Sequence, residues 1–156
     1  KTDPAQPRAQ ASQPRVDDSA RQARKAEEER IEQTHKAERA KCDSMKANAK
    51  DICQAEAKGK EKVAKAELDA KYSKDRTKAQ KKVSDTRAEA TYEVAKQRCD
   101  DQKGEAKDAC MKQARVERDR AKGKAEKTAH AKRDANPRPA ASGATSAPRH
   151  EPTKSD

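Results

Sequence analysis

The chain has 156 residues, with 39 Lys and Arg set against 28 Asp and Glu, a formal net charge of +11 and 43% charged residues. Alanine dominates the 30% hydrophobic fraction; Phe and Trp are absent, and the only Val, Ile or Leu are Val16, Ile31, Ile52, Val63, Leu68, Val83, Val94 and Val116. Burying a Val or Leu is worth roughly 1.5–3 kcal/mol and an Ala much less, so this composition excludes a large apolar core and a large enclosed pocket, and no run approaches the roughly 20 apolar residues of a membrane span.

Residues 1–16, with Pro4, Pro7 and Pro14 among Gln and Ala, read as a disordered tail. High charge and low hydropathy would extend that reading to the whole chain, but all seven prolines lie outside Arg15–Asn136. The window between them is built from Ala, Lys, Glu, Arg and Gln, all strong helix formers. Acid-before-base pairs at i,i+4, namely Glu32–Lys36, Glu56–Lys60, Glu61–Lys65, Glu67–Lys71 and Asp108–Lys112, add roughly 0.2–0.5 kcal/mol each to a helix. Helices are therefore expected over about Asp17–Met45, Ala49–Gln102 and Glu105–Asn136. Residues 136–156, with Pro137, Pro139, Pro148 and Pro152 among Ser, Thr and Ala, read as a second disordered tail.

Sliding the chain against itself by 57 residues exposes a repeat. Cys42-Asp43, Lys46, Ala49-Lys50-Asp51, Cys53 and Ala57 match Cys99-Asp100, Lys103, Ala106-Lys107-Asp108, Cys110 and Ala114, giving the pattern C-D-x2-K-x2-A-K-D-x-C-x3-A. In an unbroken helix the two cysteines of a pair would lie roughly 16 Å apart along the axis, whereas a disulfide needs Cα atoms within about 7 Å. If each pair is bridged internally, the chain reverses near Lys46-Ala47-Asn48 and near Lys103-Gly104-Glu105, where Asn48 and Gly104 are suitable turn residues. The expectation is an all-α protein of two disulfide-stapled antiparallel hairpins, residues 17–75 around Cys42 and Cys53 and residues 76–135 around Cys99 and Cys110. They are placed end to end and share one long middle helix, whose weak points are Gly59 and Tyr72–Asp75. Ile31, His35, Glu38, Cys42 and Met45, and again Ala79, Val83, Thr86 and Ala90, follow the 4-3 spacing of a coiled-coil seam.

The cysteines carry two rival readings, metal ligation and free or intermolecular thiols. Structural zinc sites use C-x2–4-C pairs or accompanying His; here the spacing is C-x10-C and His35, His130 and His150 are scattered. Paired disulfides place the chain in an oxidising compartment, periplasmic or extracellular. A start at Lys1 without Met suits a mature product whose export signal has been removed. Asp43, Asp51, Asp100 and Asp108 flank the turns and are expected to cap helices, with an acidic cation site at each hairpin tip as the rival. Tyr72 and Tyr92, twenty residues apart, are too few for a base-stacking platform and are expected to cover the seam. No phosphate-cradling glycine loop, nucleophile elbow, HExxH or CxxC occurs, so no catalytic residue, cofactor or resident metal is assigned and the expected class is non-enzymatic.

The segments Arg39-Ala40-Lys41-Cys42-Asp43 to Asp51-Ile52-Cys53 and Gln97-Arg98-Cys99-Asp100 to Asp108-Ala109-Cys110 resemble the repeats of small exported Lys/Ala-rich proteins of Gram-negative bacteria, often named TolA-like from helical composition. The likeness covers residues 38–125 and implies a periplasmic helical protein. TolA function is not expected from it, since neither a membrane anchor nor a folded C-terminal domain like that protein's is read in these residues. The expected role is a spacer or scaffold that presents charged faces to a protein or cell-envelope polymer. Two alternatives stand beside it. One is polyanion binding through Lys and Arg, to DNA, cell-wall polymer or anionic lipid, for which a pI near 9.6 speaks and the 28 interspersed acids speak against. The other is a metal-binding envelope stress protein. Self-association through the Ala-rich seams is also open.

Overall fold

A computed structural model describes residues 16–134. They form four helices: α1 (Val16–Cys42), α2 (Ala47–Lys71), α3 (Arg76–Cys99) and α4 (Gly104–Asp134). The all-α hairpin architecture is as expected, and both staples are present: Cys42–Cys53 and Cys99–Cys110 are disulfides with Cα separations of 5.6 and 5.7 Å. The expected tails, residues 1–15 and 136–156, lie outside the described residues, while Val16 belongs to α1.

The long middle helix is not formed. It breaks at Tyr72–Asp75, the polar weak point, and α3 folds back antiparallel on α2, so the two hairpins lie side by side instead of end to end. The break has local causes. Asp75 caps α3, its carboxylate accepting a hydrogen bond from Lys78 N at 3.0 Å, a contact worth about 1 kcal/mol. Ser73 Oγ donates to the Asp75 carbonyl at 3.2 Å, and the last turn of α2 closes through Tyr72 N on the Leu68 carbonyl. Folding back also lets small faces meet that an extended rod would leave in water. Gly59, the other weak point, stays helical and marks the closest approach: a Cβ placed there would stand 3.1 Å from Ala90 Cβ.

Among the described residues each helix packs only on its neighbours in sequence: α1 on α2, α2 on α3, α3 on α4. The result is an open single layer, with α1 and α4 as its edges. Its buried apolar residues are few and mostly small: Cys42, Ala57, Ala66, Leu68, Val83, Ala88, Cys99 and Ala114. The seam reading holds for Ile31, His35, Glu38 and Cys42, which are all buried or half-buried. Met45 falls beyond the end of α1 and is 42% exposed.

The duplication is visible in the backbone. In both stapled turns the same bonds recur, Asp43 N to the Ala40 carbonyl and Asp100 N to the Gln97 carbonyl at 3.2 Å, then Met45 N to Cys42 and Gln102 N to Cys99 at 3.0 Å. Each ends in a left-handed residue, Ala47 at φ +50° and Gly104 at φ +58°. These two positions are 57 residues apart, so Ala47, not Asn48, is the true partner of Gly104.

A side chain in the left-handed region costs roughly 1–2 kcal/mol, part of which the greater unfolded-state freedom of glycine returns. Ala47→Gly is therefore expected to stabilise the fold by about 0.5–1 kcal/mol and Gly104→Ala to destabilise it by a similar amount, read as opposite shifts in thermal midpoint. Each staple closes a short loop worth about 3 kcal/mol in the chain-entropy model, so Cys42→Ser with Cys53→Ser should lower stability by that order; an unchanged urea midpoint would show that the turn holds without it.

Candidate functional site

Because α2 and α3 run antiparallel, both staples sit at the same end of the layer. There the two hairpins are tied together: Asn48 Nδ2 donates to the Gln97 carbonyl at 2.7 Å, and Arg98 pairs with Glu56 at 3.1 Å. Asn48, expected as a turn residue, thus stands in the first turn of α2 as a cross-link to the last turn of α3. Gly104 occupies its turn as expected.

The aspartates do not cap as a set. The N-cap position of α2 is Lys46, with no side-chain cap bond, and Asp43 lies in the turn itself. Asp51 and Asp108 are each five residues into their helices and exposed. Asp100 is the C-cap residue of α3, and its carboxylate pairs with Lys107 at 2.9 Å. Among the described residues no group of three or more His, Cys, Asp or Glu is gathered as a metal site.

The helices are laced by charge. Arg24–Asp69 (2.7 Å), Glu38–Lys60 (3.0 Å) and Glu27–Lys71 cross from α1 to α2; Glu67–Arg87 and Asp69–Lys82 (3.2 Å) cross from α2 to α3; Glu89–Lys122 crosses from α3 to α4. Several of these residues were expected to pair within their own helix. Glu61–Lys65 does so at 2.6 Å, but Glu56, Lys60, Glu67 and Lys71 are drawn to neighbouring helices. Sequence spacing alone could not rank the two, since an exposed i,i+4 pair and an exposed cross-helix pair are worth similar fractions of a kcal/mol.

The repeat also aligns one interhelical contact of different chemistry. His35 Nδ1 meets Glu61 Oε2 at 3.0 Å across α1 and α2, both side chains less than a fifth exposed. The positions 57 residues on are Tyr92 and Arg118, whose guanidinium lies 4.4 Å from the ring centroid across α3 and α4. Tyr72 covers the open end of α1–α2: its hydroxyl donates to Glu27 at 3.2 Å, and Arg24 and Lys71 stand 5.9 and 5.6 Å from its ring centroid. Both tyrosines are half-buried against the helix seams, as expected.

Between α2 and α3 runs a groove of about 1200 Å³, reaching from Asp51 and Gln97 at the stapled end to Lys74 and Asp75 at the other. Its floor is small, with Ala55, Gly59, Ala66, Ala79 and Ala90, and its rims are charged. At 1.5 Å per residue it is about 30 Å long. The sequence hid this groove because its floor residues are scattered over two segments that were read as one straight helix. Comparison with protein-family models, curated proteins and solved structures finds no match for this chain.

The α1–α2 ladder makes the layer acid-sensitive. The Lys71 ammonium and the Tyr72 hydroxyl hold the Glu27 carboxyl below the ordinary value of 4.5, and Lys65, with His35 and Arg39 nearby, does the same for Glu61. A carboxylate with a depressed folded-state pKa stabilises the fold above its unfolded value, and that contribution is lost as pH falls through the folded value. In a Tyr92→Phe variant, where Tyr72 is the only tyrosine, the Tyr72 fluorescence should hold steady down to about pH 4.5 and change below it. A signal flat to pH 2.5 would mean that Glu27 does not anchor α1.

Proposed function

We propose that the chain is a non-enzymatic helical structural and interaction protein of the periplasm or extracellular space, a spacer or scaffold that offers charged faces to a partner. The observation that carries this reading is the single-layer architecture, held by two disulfides and cross-helix ion pairs over very few buried apolar residues. Such a layer has a large surface and a small interior, and its shape is fixed by covalent staples at one end. All four described cysteines are bridged, which suits an oxidising compartment. No helix among the described residues is long and apolar enough to cross a membrane. The resemblance of the paired-cysteine repeats to small exported Lys/Ala-rich bacterial proteins supports the same compartment.

One feature favours polyanion binding as a second reading. The two hairpins have diverged in charge: residues 16–75 hold 15 Lys and Arg against 14 Asp and Glu, whereas residues 76–134 hold 18 against 11. The second hairpin, at a net +7, would be the part that meets phosphates or acidic sugars, through counterion release.

The compartment is tested by quenching producing cells rapidly in acid, dissolving the precipitate in denaturant at neutral pH and alkylating it with a maleimide-polyethylene glycol reagent, with and without prior reduction. An exported protein should show no added mass without reductant and four additions with it; four additions in both samples would place it in a reducing compartment and sink the proposal. The second reading is tested by titrating binding to polyphosphate at 50 and 200 mM salt. A steep loss of affinity, carried by residues 76–134, would favour it, and no binding at 50 mM would remove it.

A further inference from the structure

We propose that the α2–α3 groove is the docking site for an acidic amphipathic helix of a partner protein. The inference rests on the interaction-protein reading above and names the chemistry of the partner.

Charge accounting along the rims gives the sign. Six carboxylates line the groove, and five are engaged. Asp69 is held by Arg24 and Lys82, Asp85 by Lys81 at 2.7 Å, Glu89 by Lys122, and Glu93 by Lys96 at 3.3 Å, while Asp75 caps α3. Two of the six have no cation among the described residues: Asp51, and Asp75, whose carboxylate is held only by the Lys78 backbone N–H. Of the lysines on the same rims, Lys58, Lys62, Lys74 and Lys78 are exposed and carry no ion pair within the described residues. Four lysines without an ion pair against two carboxylates without a cation leave an excess of positive charge that makes the groove a receptor for negative charge, although its formal lining is balanced.

The floor and the spacing give the shape. Lys58 and Lys62 stand one helical turn apart, about 6 Å along α2, which matches carboxylates at i,i+4 on a helix laid beside them. The small floor lets another backbone approach closely, as α3 already approaches α2 at Gly59 and Ala90. A length of about 30 Å accepts roughly 20 helical residues. A phosphate polymer would be attracted by the lysines but would gain nothing from an alanine floor, so the two features together favour a helix with an Ala- or Leu-rich face flanked by Glu or Asp. Exposed ion pairs contribute little each, so binding should be micromolar and salt-sensitive.

The test uses the full oxidised chain and a fluorescein-labelled 20-residue peptide of Ala, Leu and Glu, with Leu on one face and Glu at i,i+4 on its flanks. In 50 mM salt, anisotropy should show saturable one-to-one binding and the peptide should gain helical circular dichroism. Lys58→Glu, Lys62→Glu, Lys74→Glu and Lys78→Glu combined should weaken binding at least tenfold. The same charge change outside the groove, Lys112→Glu, Arg115→Glu, Arg120→Glu and Lys127→Glu on the exposed surface of α4, should weaken it less than threefold. Ala79→Leu, which raises the floor, should weaken the peptide tenfold and leave inorganic polyphosphate binding unchanged; far-UV dichroism and melting of each variant certify the fold. Equal losses in the two charge-reversed variants, displacement of the peptide by polyphosphate at equal charge, or a dimer by sedimentation whose interface covers the groove would each overturn the proposal. A wild-type protein that keeps its fold and its oxidised thiols in cells but ignores the peptide would overturn this inference alone and leave the structural role standing.

Discussion

The scarcity of apolar side chains governs everything else in this molecule. Eight Val, Ile and Leu residues in 156 cannot offset the entropy of ordering more than a hundred of them. The chain compensates by lowering the entropy that must be overcome. Strong helix formers make each rod from local interactions, and each stapled reversal is fixed covalently where a core would otherwise have to hold it. What remains for tertiary packing is to set rods beside one another, and alanine, glycine and paired charges suffice for that.

The two staples share one end, which divides the layer into unequal halves. At the stapled end, Cys42–Cys53, the Asn48–Gln97 bond and Cys99–Cys110 tie the three successive helix pairs together. At the other end, the reversal at Tyr72–Asp75 rests on the Asp75 cap and the polar cluster of Glu27, Lys71 and Tyr72. Stability is thus expected to fall along the helix axes away from the disulfides, with the ends of α1 and α4 opening first. A partner lying in the groove would touch both the firm and the yielding end.

Much of this fold was legible in the residues. The confinement of proline to the ends marked the helical window, and the 57-residue repeat with C-x10-C spacing placed both reversals to within a few residues. The middle helix was misread because Tyr72–Asp75 contains neither Gly nor Pro; its signal was an aspartate positioned to cap, which competes with helix continuation by only about 1 kcal/mol. Ala47 was missed because alanine carries a Cβ that disfavours positive φ and no polar side chain that marks a turn, although its register with Gly104 pointed to it. The groove was illegible for a different reason. It exists only once α2 and α3 lie side by side, and its charge balance depends on which lysines the neighbouring helices have already claimed.

Contacts confined to neighbours in sequence have a consequence for how such a molecule can change over generations. In a closed bundle, an added helix must displace one already there. Among the described residues α4 forms an edge of the layer with one neighbour only, and α3–α4 relates to α1–α2 as one 57-residue unit to the next. Another unit could be appended with the reversal already used at Tyr72–Asp75, leaving every existing contact intact. Width is therefore an independently variable dimension of this architecture, set by how many units the gene encodes, and each new unit would bring its own staple and a fresh groove whose charges selection could tune separately.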